Sequence, residues 1–217
     1  MKRIIIICEG HTEAEFCKDV LYPYFLTKDI FIFTPLIKKS GGGIVPWRYL
    51  KGQIEIHLAQ DREAIVTTLI DYYGIHDRHE FPEWEAAHRI ADKNLRMEHL
   101  EKAMNTSVNS PINNFIPYIQ LHEFEALLFN NIDIFEAQIA NEEFIDKSEL
   151  IATLNSNPNP ELINDTPNNA PSYRLKRIIK GFNKIVYGAI LADSIGLTGM
   201  RDKCPRFNAW ISKLENI

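Results

Sequence analysis

The run Ile4-Ile5-Ile6-Ile7, closed by Cys8-Glu9-Gly10, constrains this chain more than any other stretch. Four consecutive β-branched residues with no polar interruption read as a strand buried on both faces, as at the centre of a mostly parallel sheet covered by helices on either side. Helix is expected at once, with Thr12 as N-cap, Glu15 three residues on, and the apolar residues Phe16, Val20 and Leu21 behind them. Glu9 therefore stands where a buried strand gives way to a helix. That is the carboxyl edge of the sheet, where open α/β folds bind ligands, and Gly10 lets the backbone turn there.

The pattern returns twice. Ala64 to Asp71 reads as a second buried strand ending in a carboxylate before Tyr72-Tyr73-Gly74. Asn113 to Leu121 reads as a further strand, followed by His122-Glu123-Phe124-Glu125 and a helix to Phe129. Two residues apart on a helix, Glu123 and Glu125 point in different directions, so one of them should face the site. Glu123, nearest the strand end, is the first choice and Glu125 the second. Ile30 to Ile37 is an aromatic and β-branched strand bent near Pro35, and it feeds Lys38-Lys39-Ser40-Gly41-Gly42-Gly43. This loop reads equally as a turn or as a cationic segment, with Lys39 near phosphate, whose amides approach the same anion.

Elsewhere the expectations are plainer. Helix is expected from Pro46 to Gln60, with room for a second short segment at its end, and again from Pro82 to Ala103. His88 and His99 on the latter lie about three turns apart and cannot meet at one ion, and His76 and His79 have no cysteines nearby. The Asn- and Pro-rich stretch 141–172 reads as loop. A basic helix is expected from Ser172 through Arg174 to Lys184, then two helices joined at Pro205. The organisation expected is a core over 1–140 and a loop-rich, helical extension over 141–217, packed together as one globular unit.

A net charge of −5 over 217 residues argues against a wholly basic nucleic-acid surface but leaves room for a local basic patch. Cys8, Cys17 and Cys204 have neither zinc spacing nor an even count for structural disulfides. Only a few apolar residues separate Met1-Lys2-Arg3 from Glu9, too few for a signal peptide, and no apolar run reaches membrane-spanning length. A cytoplasmic location is expected.

Strand-Glu9-Gly10-x-Thr12-Glu13 resembles the first motif of Toprim domains, above all those of OLD-type nucleases, and the whole chain resembles the 4276 family of domains of unknown function. The resemblance implies an α/β fold, a mainly parallel Toprim-like sheet flanked by helices with a helical C-terminal extension. It also implies divalent-metal chemistry with Mg²⁺ or Mn²⁺. Glu9 would be ligand or general base, with Glu13, Asp71, Glu123 and Glu125 as further candidate ligands. In Toprim domains the third strand commonly ends in two acids two residues apart; Asp71 matches the first, and Tyr73 stands in place of the second. The family's basic positions match Arg174 and Lys184, expected as phosphate contacts. The activity implied is a nuclease cleaving DNA or RNA, working with an ATPase partner in anti-phage defence. The alternative is a non-catalytic subunit of the same fold that binds an ATPase or nucleic acid.

Overall fold

A computed structural model describes residues 2–38, 43–110, 114–164 and 166–217. In chain order the elements are β1 (Lys2–Cys8), α1 (His11–Phe16), α2 (Tyr22–Leu26), β2 (Ile30–Phe33), α3 (Trp47–Gln60), β3 (Ile65–Asp71), α4 (Trp84–His88) and α5 (Lys93–Ser107). They continue with β4 (Phe115–Ile116), β5 (Ile119–Gln120), α6 (Ile132–Gln138), α7 (Lys147–Ser156), α8 (Pro171–Ile178), α9 (Lys184–Lys203) and α10 (Pro205–Glu215).

The strands form one parallel sheet in the order β2-β1-β3-β4, with β5 also paired to β3. The sheet is covered on both faces, which is why β1 tolerates an unbroken apolar run. Side chains alternate along it: Ile4, Ile6 and Cys8 enter a core with Phe16, Leu191, Phe207 and Trp210, whereas Ile7 enters a second core with Leu50, Ile54, Met97 and Leu100. The first core therefore draws on α1, α9 and α10, and the second on α3 and α5. An α/β architecture with a parallel sheet, flanking helices and C-terminal helices is consistent with a Toprim-like fold.

Several local expectations are corrected. The first helix is capped by Gly10, not Thr12: the Gly10 N–H donates to Glu13 Oε2 at 2.9 Å, and Glu15 instead pairs with Lys18 at the surface. Helix from Pro46 to Gln60 is one element. The stretch from Pro82 to Ala103 is two, because Asp92 caps a new helix by accepting the Leu95 N–H, which leaves Leu95 exposed. The third site-bearing strand is broken at Pro117, which has no N–H for the ladder. Buried Thr68 fills the gap, its hydroxyl accepting the Tyr118 N–H at 3.0 Å and donating to the Tyr118 carbonyl at 2.9 Å.

The stretch 141–172 contains the ten-residue helix α7 as well as loops. The basic helix stops at Ile178 rather than continuing to Lys184. Ile179 bridges antiparallel to Phe144, and Gly181 takes a left-handed φ of 68°. Lys184 opens α9 instead, where Asn183 caps the helix by accepting from Ile185 and Val186. Among the described residues no helix is long and apolar enough to cross a membrane.

Candidate functional site

Parallel pairing places three strand exits at one edge. Cys8 pairs with Leu69 and Asp71 with Gln120, so Glu9, Asp71 and the His122–Glu125 segment all emerge on the same side of the sheet. The β2 chain leaves by that edge too. Its exit is held by buried Gln53, whose amide donates to the Leu36 carbonyl at 3.0 Å and accepts the Lys38 N–H at 2.9 Å. The loop returns beside Glu9, since a Cβ on Gly43 would lie 3.9 Å from Glu9 Oε1. Lys39 lies outside the described residues.

Four carboxylates lie near enough at this edge to repel one another. The Asp71 N–H donates to Glu9 Oε2 at 2.9 Å, and Asp71 Oδ1 accepts the Phe124 N–H at 2.9 Å. Glu13 joins from the first turn of α1, oriented by its bond from Gly10. Glu125, fully buried in the 3₁₀ turn Phe124–Leu128, completes the group. Gly74 makes room for Glu9: a Cβ there would sit 3.2 Å from Glu9 Oε1.

Crowded acids in a poorly solvated place resist ionisation. Burial, followed by repulsion from Glu13 and Glu125, pushes Glu9 up to about 7 even though the Asp71 N–H and Lys184 pull the other way. Burial and the other acids together raise Asp71 well above the usual carboxylate range, and burial with Glu125 nearby raises Glu13. Lys184 supplies the cation, its Nζ 2.8 Å from Glu125 Oε1. Burial works against the Lys184 ammonium, but Glu125, Asp71 and Glu123 outweigh it and hold its pKa above the ordinary lysine value.

Of the paired glutamates, Glu125 faces the acids and Glu123 is otherwise engaged. Its two oxygens accept the Ser172 N–H at 2.9 Å and the Ser172 hydroxyl at 3.0 Å, which ties the strand exit to the start of α8. Burial still raises the Glu123 pKa. Arg174 is engaged on the far side of the same helix, donating to the Asn169 carbonyl at 2.9 Å and lying 3.8 Å from Glu149 of α7. The structure thus gathers Glu9, Glu13, Asp71, Glu125 and Lys184, sets Glu123 beside them as an anchor, and gives Arg174 contacts to α7.

Whether this group suits a divalent cation turns on its donors. All are carboxylate oxygens, the ligands of hard cations, and neither oxygen of Glu125 has a hydrogen-bond donor among the described residues beyond the ammonium beside it. Among the described residues, however, no three Asp, Glu, His or Cys side chains converge as a ready-made metal cage. The donor chemistry fits a cation, with Lys184 providing the positive charge in this arrangement.

A family model described as a domain of unknown function, DUF4276, matches residues 8–215, from the end of β1 to the end of α10. The chain belongs to the DUF4276 family. No curated protein and no solved structure matches it. The matched region carries every acid of the cluster, Lys184 and Ser172. Ser172 was not singled out by sequence; only its position at the start of a helix marks it, as a residue type that binds carboxylates through N–H and O–H together.

Proposed function

We propose that this DUF4276 protein is a divalent-metal-dependent nuclease related to Toprim domains. The observation that carries the reading is the placement of Glu9, Glu13, Asp71 and Glu125 together at the carboxyl edge of the sheet, near enough to repel one another, with Glu9 pushed up to about 7. A carboxylate that titrates near neutrality is suited to take a proton from an attacking water. The Asp71 N–H orients it for that role. Glu13, Asp71 and Glu125 would hold Mg²⁺ or Mn²⁺, which when bound neutralises phosphate charge and makes water more acidic. Lys184 would turn from Glu125 to a substrate phosphate. Lys39, which lies outside the described residues, is the second phosphate contact in this reading. With Arg174 joining α8 to α7, its contribution would be to hold this edge in place.

The proposed setting is the cytoplasm, with a nucleic-acid substrate and an ATPase partner in anti-phage defence. A non-catalytic subunit is the second reading. Tyr73 at the position of a second acid and the Lys184–Glu125 pair favour it. Cleavage of labelled single- and double-stranded DNA and RNA with Mg²⁺ or Mn²⁺, comparing the parent with Glu9→Gln, decides between them. Metal-dependent cleavage lost in the variant supports the nuclease. No cleavage of any substrate, with or without the ATPase, supports the subunit.

A further inference from the structure

Next to the acids lies a cleft of about 500 Å³, within the range of small-ligand sites, about 300–1,000 Å³. Its walls continue directly from the acid-bearing strand ends: Tyr72 and Tyr73 follow Asp71, and His122 precedes Glu123. The Tyr73 N–H donates to the His122 carbonyl at 2.9 Å, so the two exits are joined at the cleft floor.

One side of the cleft is aromatic. The ring centroids of Tyr72 and Trp84 are 5.7 Å apart, and those of Trp84 and His88 4.3 Å. Tyr72 is fixed by Arg96, which donates to its hydroxyl at 3.2 Å, and His88 is exposed at the rim. The other side is polar. Lys93 Nζ lies 3.1 Å from His122 Nε2. An ammonium only donates, so His122 Nε2 accepts there and the ring N–H sits on Nδ1, which faces the Asn164 side-chain amide at 3.3 Å. Lys93 is then the single full charge among the described lining residues and is paired with no carboxylate among the described residues. The Asn164 amide then turns its oxygen to accept the His122 Nδ1–H and leaves its NH₂ as a donor.

A π wall, a cation with no carboxylate partner among the described residues and a side-chain amide are the parts with which proteins hold a single nucleotide: the ring stacks, the cation meets phosphate and the amide reads the base edge. The chemistry differs at the larger cleft of about 590 Å³, where Asp77, Glu80, Glu83 and Glu85 would repel a phosphate. We propose that the Tyr72–Trp84–Lys93 cleft is a nucleotide subsite that takes the base of the residue flanking the scissile phosphate. This rests on the nuclease reading, because it is the phosphodiester at the acids that puts a neighbouring base here. Substrate with an unpaired or unstacked base beside the cut would then be favoured over intact duplex, since only such a base can leave its stack cheaply.

The test is calorimetric titration of the full chain with the four nucleoside 5′-monophosphates, ribose 5-phosphate and inorganic phosphate. The variants are Lys93→Ala, at the solvated first turn of α5, and His88→Ala at the rim. At least one monophosphate is expected to bind about tenfold more tightly than ribose 5-phosphate, the order set by stacking one base. Each variant should weaken that binding about five- to tenfold while keeping the parent melting temperature. Equal binding of ribose 5-phosphate and nucleotides, no nucleotide binding, or binding untouched by both variants overturns the subsite. Nucleotide binding of the expected kind without phosphodiester cleavage would remove the nuclease and leave the subsite standing; cleavage with no nucleotide binding would do the reverse.

Discussion

The backbone N–H of Asp71 donates to the side chain of Glu9 at 2.9 Å, so one acid of the cluster is held by the main chain that carries another. This link crosses from β1 to β3 at the edge where both strands end. It orients the Glu9 carboxylate without neutralising it, and the bond survives if the side chain is an amide. Replacing Glu9 by Gln should therefore leave the fold intact and take away only the proton acceptor. A loss of about 10²- to 10⁴-fold in metal-dependent cleavage is expected, the usual contribution of a general base. The melting temperature should stay level or rise, since one repelling charge is gone. Cleavage undiminished in Glu9→Gln would show that another group activates the water.

Stability of the metal-free protein should depend on pH with a defined sign. Glu9 is raised from about 4.5 to about 7, and Asp71, Glu13 and Glu123 are raised as well, with burial the leading cause in each. Over that interval the folded chain binds more protons than the unfolded one, so stability falls as pH climbs through it. Saturating Mg²⁺ should flatten the slope, because a cation bound only to the native state favours the ionised acids. Urea unfolding at pH 5.5, 6.5 and 7.5, with and without Mg²⁺, measures both. Stability rising over this range without metal would mean that the acids are not crowded in solution.

Much of this edge was legible in the sequence, for a physical reason. Strands buried on both faces leave an unbroken apolar run, and a carboxylate that interrupts it marks the exit, which located Glu9 and Asp71. The choice between Glu123 and Glu125 was not legible, because it depends on Ser172 arriving from a distant helix to occupy Glu123. The basic pattern puts Lys184 on one helix with Arg174. The break between them comes from the Ile179–Phe144 bridge, a tertiary contact that no local pattern reports. Helix α7 was hidden by its Asn- and Pro-rich surroundings, although Asp146 supplies an ordinary cap by accepting the Glu149 N–H.

Gly74 should be a positional requirement of the site rather than of the fold. A methyl group there would lie 3.2 Å from Glu9 Oε1, the free end of a side chain that can move aside. Gly74→Ala should cost little stability yet displace the carboxylate, and displacements of about an ångström in a reacting group cost on the order of 100-fold in rate. Circular dichroism melts alongside cleavage assays separate the two effects. Activity kept at the parent level would mean that Glu9 works from a different position.

The broken ladder at Pro117 makes a prediction about stability alone. Thr68→Val preserves shape in the buried sheet but strips partners from the Tyr118 N–H and carbonyl. Leaving buried polar groups unpaired costs about 1–3 kcal/mol each, and partial relaxation puts the expected loss near the lower end of the sum, about 2–4 kcal/mol. Chemical denaturation reads it directly. A change below about 0.5 kcal/mol would show that the strand re-pairs without the hydroxyl.

Lys184 distinguishes a substrate-facing cation from a purely internal one. Its partner Glu125 is fully buried while Lys184 itself is 44% exposed, so the ammonium sits at the boundary between the acids and solvent. Lys184→Met keeps the stem but leaves Glu125 without its counter-charge. Breaking buried pairs costs about 3–5 kcal/mol, and solvent screening at the exposed lysine end reduces the expected loss to about 1–3 kcal/mol. Divalent metal should restore part of that loss by supplying positive charge to the same oxygens. If Lys184 also meets substrate phosphate, Lys184→Met should weaken nucleic-acid binding and make the slope of log affinity against log salt shallower by about one. A pure internal role lowers stability and leaves the slope of the parent unchanged. Measuring both quantities on one variant therefore separates the roles, and an unaltered slope in Lys184→Met with stability restored by metal would take this lysine out of the substrate path.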